Sequence, residues 1–263
     1  MEAACSNLSC SNAVKALNLR QEGEEGFVLV SAIWLLLLGA AVVAIIQFTV
    51  LNRAKSLTFE KDQIEHRLAL ETAYETAIAD MLFNGPRSAF AKMPSQMVYT
   101  LNGVSMTISV SSESGKLDIN QADPALIDRA LMGLGIDASK RTAFLGVLAG
   151  YRSSGFVISM TADLEAALQQ AGVGPAGGFC GLQYLTAHSG LPRPFTGQMP
   201  PELARAIGEP STQRNSGFQP GSALRIAITK PGGPSLVAVV RMTGRLDQAV
   251  DVLDWRIGGD CAT

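Results

Sequence analysis

The sequence predicts an α+β fold: one long N-terminal helix packed on an antiparallel sheet, with an all-helical segment inserted between strands. Three observations predict it. An uncharged apolar run begins the helix. An apolar stripe at helical spacing continues it. Two β-hairpin signals then stand far apart, with short helical patterns between them.

The apolar run comes first. No residue from Phe27 to Asn52 is charged, and Phe27–Ile46 is a stretch of 20 residues dominated by Val, Leu, Ile and Ala. At about 1.5 Å per residue it spans roughly 30 Å, the thickness of a bilayer's hydrocarbon core. A core helix of a soluble domain is rarely apolar on every side over five turns, so 27–52 reads as a transmembrane helix. Ala40, Ala41 and Ala44 supply small residues of the kind found at a signal-peptide cleavage site, but the run continues past them.

The helix then changes character. Leu70, Tyr74, Ala77, Ile78, Met81 and Leu82 recur at spacings of three and four, while Glu60, Asp62, Glu65, Arg67, Glu71 and Glu75 take much of the rest. Asn84-Gly85-Pro86 is a stop signal. One helix is therefore expected from about Phe27 to Phe83. A plain anchor needs only the first half. The amphipathic half predicts a folded head packed against it.

Val98–Leu101 and Val104–Val110 flank Asn102-Gly103, the strongest two-residue hairpin signal. Leu224–Ile228 and Leu236–Val240 flank Lys230-Pro231-Gly232-Gly233-Pro234, and a last strand is expected from Ala249 to Ile257. Between the hairpins, 115–208 reads mostly as short helices.

Composition excludes several function classes. The 263 residues carry a net charge of −2, which gives no general reason to expect nucleic acid. The four cysteines, Cys5, Cys10, Cys180 and Cys261, form no CxxC pair, so a zinc site is not expected. His66 and His188 stand in no metal-ligand pattern and read as surface or structural residues. There is no Gly-x-Ser-x-Gly, phosphate loop or HExxH. Ser111-Ser112 and Ser153-Ser154-Gly155 read as turns. No catalytic residue, metal or cofactor is expected, and the chain does not read as an enzyme.

Glu24-Glu25-Gly26 followed by Phe27-Val28-Leu29-Val30, at the polar-to-apolar border, resembles the processing site of prepilins. In that family a membrane peptidase cuts after the glycine and methylates the new amino terminus, most often a phenylalanine. The resemblance makes Gly26 and Phe27 those two residues, and residues 1–26 the leader. This leader departs from the usual short basic kind, carrying Lys15 and Arg20 against four glutamates. Arg53, Lys55 and Lys61 beyond the span also give no positive-inside signal for the orientation.

Ser31 is the fifth residue after the proposed cut. Most pilins and pseudopilins carry glutamate there, where it is thought to pair in the membrane with the amino terminus of the preceding subunit. A charge in hydrocarbon is costly without a partner, so a subunit with none ahead of it should lack the carboxylate. In this respect Ser31 resembles the K-type minor pseudopilins of bacterial type II secretion systems. A helical domain interrupts the head of those proteins too. Gly115-Lys116-Leu117-Asp118-Ile119-Asn120 is similar to their entry into the insert, with Asp118 where asparagine is common.

The resemblance covers nearly the whole chain. It implies a pilin-like fold in five parts: leader 1–26, transmembrane helix 27–52, amphipathic helix and first hairpin 53–114, inserted helical domain 115–208, and C-terminal head strands 209–263. It implies a single pass through the bacterial inner membrane with the head in the periplasm. The implied partners are the I-type and J-type minor pseudopilins, the prepilin peptidase and the inner-membrane secretion platform. The implied role is to start, at the tip, the short filament that exports folded proteins. In an oxidising periplasm Cys180 and Cys261 become candidates to pair. Some pseudopilins bind calcium in the head, which makes Asp247, Asp251 and Asp254 candidate ligands, although EF-hand spacing is missing.

Two alternatives stand beside this one. A minor type IV pilin would share the processing site. Leu117–Ala122, Leu131–Ile136, Tyr151-Arg152, Gly155-Phe156, Asp163-Leu164 and Ala171–Gly174 also follow the order of a tandem helix-hairpin-helix, the module of membrane-tethered DNA-uptake proteins. Such a module offers backbone N–H groups to phosphate. Charge opposes it, because Glu113–Cys180 holds 5 basic and 7 acidic residues.

Overall fold

The computed structural model describes residues 7–174, 179–210, 221–245 and 247–258, with side chains from Phe27 onward except at 54, 56, 58 and 59. It comprises two compact units, one ending at Ile64 and one beginning at Glu65.

The first unit is helical. Helix α1 runs Asn7–Asn84 and supplies all of its described structure. The sequence places the helix start near Phe27, so α1 begins earlier than expected and Gly26 lies inside it. Eleven of the residues 7–26 are Leu, Ala, Glu, Lys, Arg or Gln, good helix formers that outweigh two scattered glycines. The span Phe27–Arg53 has a mean hydropathy of 2.8, and none of it is buried by the protein. Phe27 is 76% exposed and Leu36 73%. So much apolar area facing water is strongly unfavourable, and a bilayer removes the penalty.

In the second unit the rest of α1 buries one stripe: Leu70, Ala73, Tyr74, Ala77, Ile78 and Met81. Leu82, expected in the stripe, is exposed, since it falls just off the face that Ile78 and Met81 define. The helix stops where Gly85 turns left-handed (φ +48°) ahead of Pro86. Asp80 secures this exit. Its carboxylate accepts from the side chains of Asn84 (2.6 Å) and Ser88 (2.5 Å) and from the Ala89 N–H (2.9 Å). The Ser88 hydroxyl, above all, holds the Asp80 carboxyl below its usual range.

The stripe packs on a five-stranded sheet. Its strands are β1 (Ser95–Leu101), β2 (Val104–Ser112), β5 (Ala223–Thr229), β6 (Leu236–Met242) and β7 (Val250–Ile257). They lie in the order β1-β2-β5-β6-β7, antiparallel throughout. Asn102 (φ +50°) and Gly103 (φ +79°) both take the positive φ that a type I′ turn requires, so the expected hairpin closes there. Alternation turns Ile108, Val110, Ile226, Ile228, Ala238 and Val240 inward, into one cluster with the α1 stripe. Tyr74 meets Trp255 edge-on at 4.8 Å.

The insert between β2 and β5 has its own core. Helices α2 (Pro124–Gly133), α3 (Ala138–Ser153), α4 (Thr161–Gln170) and α5 (Pro201–Ile207) gather around Leu131, Phe144, Leu164 and Leu203. Asp123 caps α2 by accepting from the Ala125 N–H at 2.8 Å, with Pro124 in the first turn. The all-helical expectation needs one addition, a parallel ladder of β3 (Leu117–Asp118) with β4 (Leu185–Thr186). Two-residue strands carry no period for a sequence to display. Gly133 works by close approach, because a Cβ there would stand 2.5 Å from the Ala206 Cα of α5.

Candidate functional site

The sequence-predicted residues fall in three places. Gly26 lies within α1, and Phe27 opens the apolar span. Ser31 donates its hydroxyl to the Val28 carbonyl at 2.9 Å, so its one polar group is satisfied inside the helix. At this position the apolar span holds no charge that would need a partner.

The second place is the joint between sheet and insert, where Lys116 of the entry motif meets Glu113 and Arg225, two residues that the sequence did not single out. Glu113 follows β2 in a short 3₁₀ turn and is fully buried. Its Oε1 accepts from Lys116 Nζ at 2.7 Å and from Arg225 Nε at 2.8 Å. Lys116 Nζ also donates to the Leu182 carbonyl at 2.9 Å, binding the insert's later half to its entry. Burial alone would raise the Glu113 carboxyl. Lys116 and Arg225, with the Thr186 hydroxyl, outweigh it and hold the group well below the usual carboxylate range. Ser111 and Ser112, expected as a turn, are instead the last residues of β2. Their pairing with Arg225 and Leu224 extends the strand, and the Ser112 hydroxyl accepts from the Ser114 N–H at 3.2 Å.

Asp118 is similarly engaged. One oxygen accepts from the Asn120 N–H at 2.9 Å, the other from the Gly190 N–H at 2.7 Å. Asn120 donates to the Ile158 carbonyl at 2.8 Å. His188 is buried nearby, and desolvation, chiefly, pushes its pKa below the usual histidine value. His66 lies 2.7 Å from Lys230 Nζ through its Nδ1.

The third place is β7 and the loop before it, where the three candidate calcium ligands are dispersed. Asp247 pairs with Arg245 at 2.6 Å, and that bond lowers its pKa. Asp251 accepts from Gln248. Asp254 accepts from the backbone N–H of Thr161, at the start of α4, at 3.2 Å. Among the described residues no group of three His, Cys, Asp or Glu side chains is arranged to hold a metal ion. Asp254 therefore joins sheet to insert, beside the Arg256–Glu165 pair at 2.9 Å. Cys180 is disulfide-bonded, and Cys261 lies outside the described residues.

The basic residues of the helix-hairpin-helix pattern are largely committed within the protein. Lys116 is buried on Glu113, and Arg141 pairs with Asp128 at 2.8 Å. Arg152 donates to the carbonyls of Ile119 (2.6 Å) and Ala122 (2.8 Å). The Leu134–Asp137 turn between α2 and α3 leads into a helix start with Asp137 at its cap, and Lys140 lies 3.8 Å from that carboxylate. A carboxylate at the turn opposes phosphate.

No protein-family model and no curated protein matches this chain. Among solved structures, it is similar to a chain of the GspK–GspI–GspJ complex from the type 2 secretion system of enterotoxigenic Escherichia coli. The TM-score is 0.46 and the identity 8%, covering 79% of this chain and 99% of that chain.

Proposed function

We propose that this chain is a membrane-anchored minor pseudopilin of the K type, which starts the filament of a type II secretion system from its tip. One observation carries the reading. A single helix holds an apolar span that the protein leaves wholly unburied and, further on, a stripe buried under an antiparallel sheet. Gly26-Phe27 stands at the start of that span, where a prepilin peptidase would cut and methylate.

In this proposal Phe27–Arg53 inserts in the inner membrane, the head lies in the periplasm, and the chain packs with the I-type and J-type subunits on the secretion platform. Ser31 supplies no charge to pair with a subunit ahead, as suits a tip. A head widened by the insert would stack less closely than a compact pilin head. The role is assembly rather than catalysis, with Cys180 and Cys261 paired in the oxidising compartment. DNA uptake is disfavoured, because most cations of the pattern, Lys116, Arg141 and Arg152, are bound internally.

The test is the intact mass and N-terminal sequence of the protein from membranes of cells with and without prepilin peptidase. N-methylated Phe27, present only with the peptidase, is expected. An uncleaved chain, or a cut near Ala44, overturns the reading. Co-isolation with I-type and J-type subunits is expected for the type II role, and co-isolation with type IV pilins alone would assign the chain to the other machine.

A further inference from the structure

The insert carries a concave feature lined by different residues from the Glu113 joint. A cavity of about 560 Å³ lies against the start of α2, and three arginines from separate parts of the chain line it: Arg129 of α2, Arg152 at the end of α3, and Arg193 of the loop before α5. Among the described residues Asp123 is the one carboxylate in the lining, and its side chain accepts from the Ala125 N–H. Three positive groups face one negative group, which is locally opposite to the chain's net charge of −2.

The arginines divide into a fixed one and two available ones. Arg152 is held by the carbonyls of Ile119 and Ala122, which bind the guanidinium without neutralising it. Arg129 and Arg193 are exposed, and their side chains make no hydrogen bond or ion pair among the described residues. The Arg193 loop is held at both ends. The Leu191 N–H donates to Ser189 Oγ at 3.3 Å, and the Phe195 N–H donates to the Ser114 carbonyl at 2.8 Å. Pro192 and Pro194 further restrict its backbone. Guanidinium groups set on restrained backbone around a concavity recognise carboxylates through paired N–H donors.

We propose that this pocket docks the carboxylates of an acidic segment of a partner protein. A local positive pocket on an otherwise acidic insert attracts one or two carboxylates, whereas the surrounding negative charge repels an extended polyphosphate. The pocket goes beyond the filament role and does not depend on prepilin processing.

The test uses the full chain in detergent micelles and a fluorescent, acetylated tetraglutamate peptide, followed by anisotropy at low salt. Saturable binding is expected, weakened by added salt. The double variant Arg129→Ala/Arg193→Ala should weaken it about tenfold or more. Arg245→Ala, which removes an exposed cation elsewhere, should leave it unchanged. Both altered arginines are exposed, so the double variant should keep the parent melting temperature. Three results overturn the proposal: no binding at millimolar peptide, equal binding by the double variant, or tighter binding of an oligothymidylate than of the peptide.

Discussion

The face of the sheet against α1 and the face against the insert are joined to their neighbours by different forces. On the α1 side, Ile108, Val110, Ile226, Ile228, Ala238 and Val240 meet Leu70, Ala73, Tyr74, Ala77, Ile78 and Met81, an apolar contact throughout. On the other side Arg225 reaches Glu113, Asp254 takes the Thr161 N–H, and Arg256 pairs with Glu165. Apolar burial contributes roughly 1.5–3 kcal/mol per large side chain and has little direction. A buried charge pair gains little over an apolar filler, but a misplaced partner leaves a charge stranded. The helix joint therefore supplies stability, and the insert joint fixes position.

The comparison can be broken at either joint. Glu113→Gln should have the largest effect, roughly 3–5 kcal/mol, because it leaves Lys116 and Arg225 buried beside a neutral group. A melting curve of the purified chain measures it, and a loss below 1 kcal/mol would show that the joint is not held by charge. Ile108→Ala, in the apolar joint, should remove about 2–5 kcal/mol through the lost burial and the cavity left behind. Denaturant titration reads that loss, and it should hardly change with pH.

The pH dependence itself sharpens the contrast. Glu113 has its carboxyl depressed in the fold, so its stabilisation is present above the ordinary glutamate range, about 4.3, and is lost as pH falls below it. His188 is buried with its pKa lowered, so the fold favours the neutral ring. That contribution is present above about 6.5 and is lost as pH falls through it. The melting temperature should fall as pH is lowered from about 7.5 to 5, and His188→Gln should flatten that slope while Ile108→Ala preserves it. The smallest effect belongs to Arg67→Ala. Its pair with Glu71 lies one turn apart on the surface of α1, so roughly 0.2–0.5 kcal/mol is expected from thermal melts. A loss equal to that of Glu113→Gln would mean that burial is not what separates these pairs.

Much of the fold was legible because it is written in short periods. The stripe Leu70–Met81 repeats at helical spacing, Asn102-Gly103 marks its own hairpin, and the five strands fall within a few residues of their expected bounds. The candidate residues were less legible. Glu113 sits in a Ser-Glu-Ser-Gly stretch that reads as a turn, and its partner Arg225 lies 112 residues away. Asp247, Asp251 and Asp254 are near in sequence, yet each finds a different partner. The one available signal was a lone acidic residue directly after a strand entering the insert, and it does not name its partner.

By itself, then, the sequence determined that a long apolar span exists, that a striped helix follows it, and that two hairpins bracket a helical insert. Each of these is set by neighbours a few residues apart, through backbone period and turn chemistry. Only the tertiary structure decided that Glu113 joins Lys116 to Arg225, that Asp254 holds the start of α4, and that Arg129, Arg152 and Arg193 share one cavity. Those meetings depend on how separate elements pack, since a charge finds its partner through space rather than along the chain.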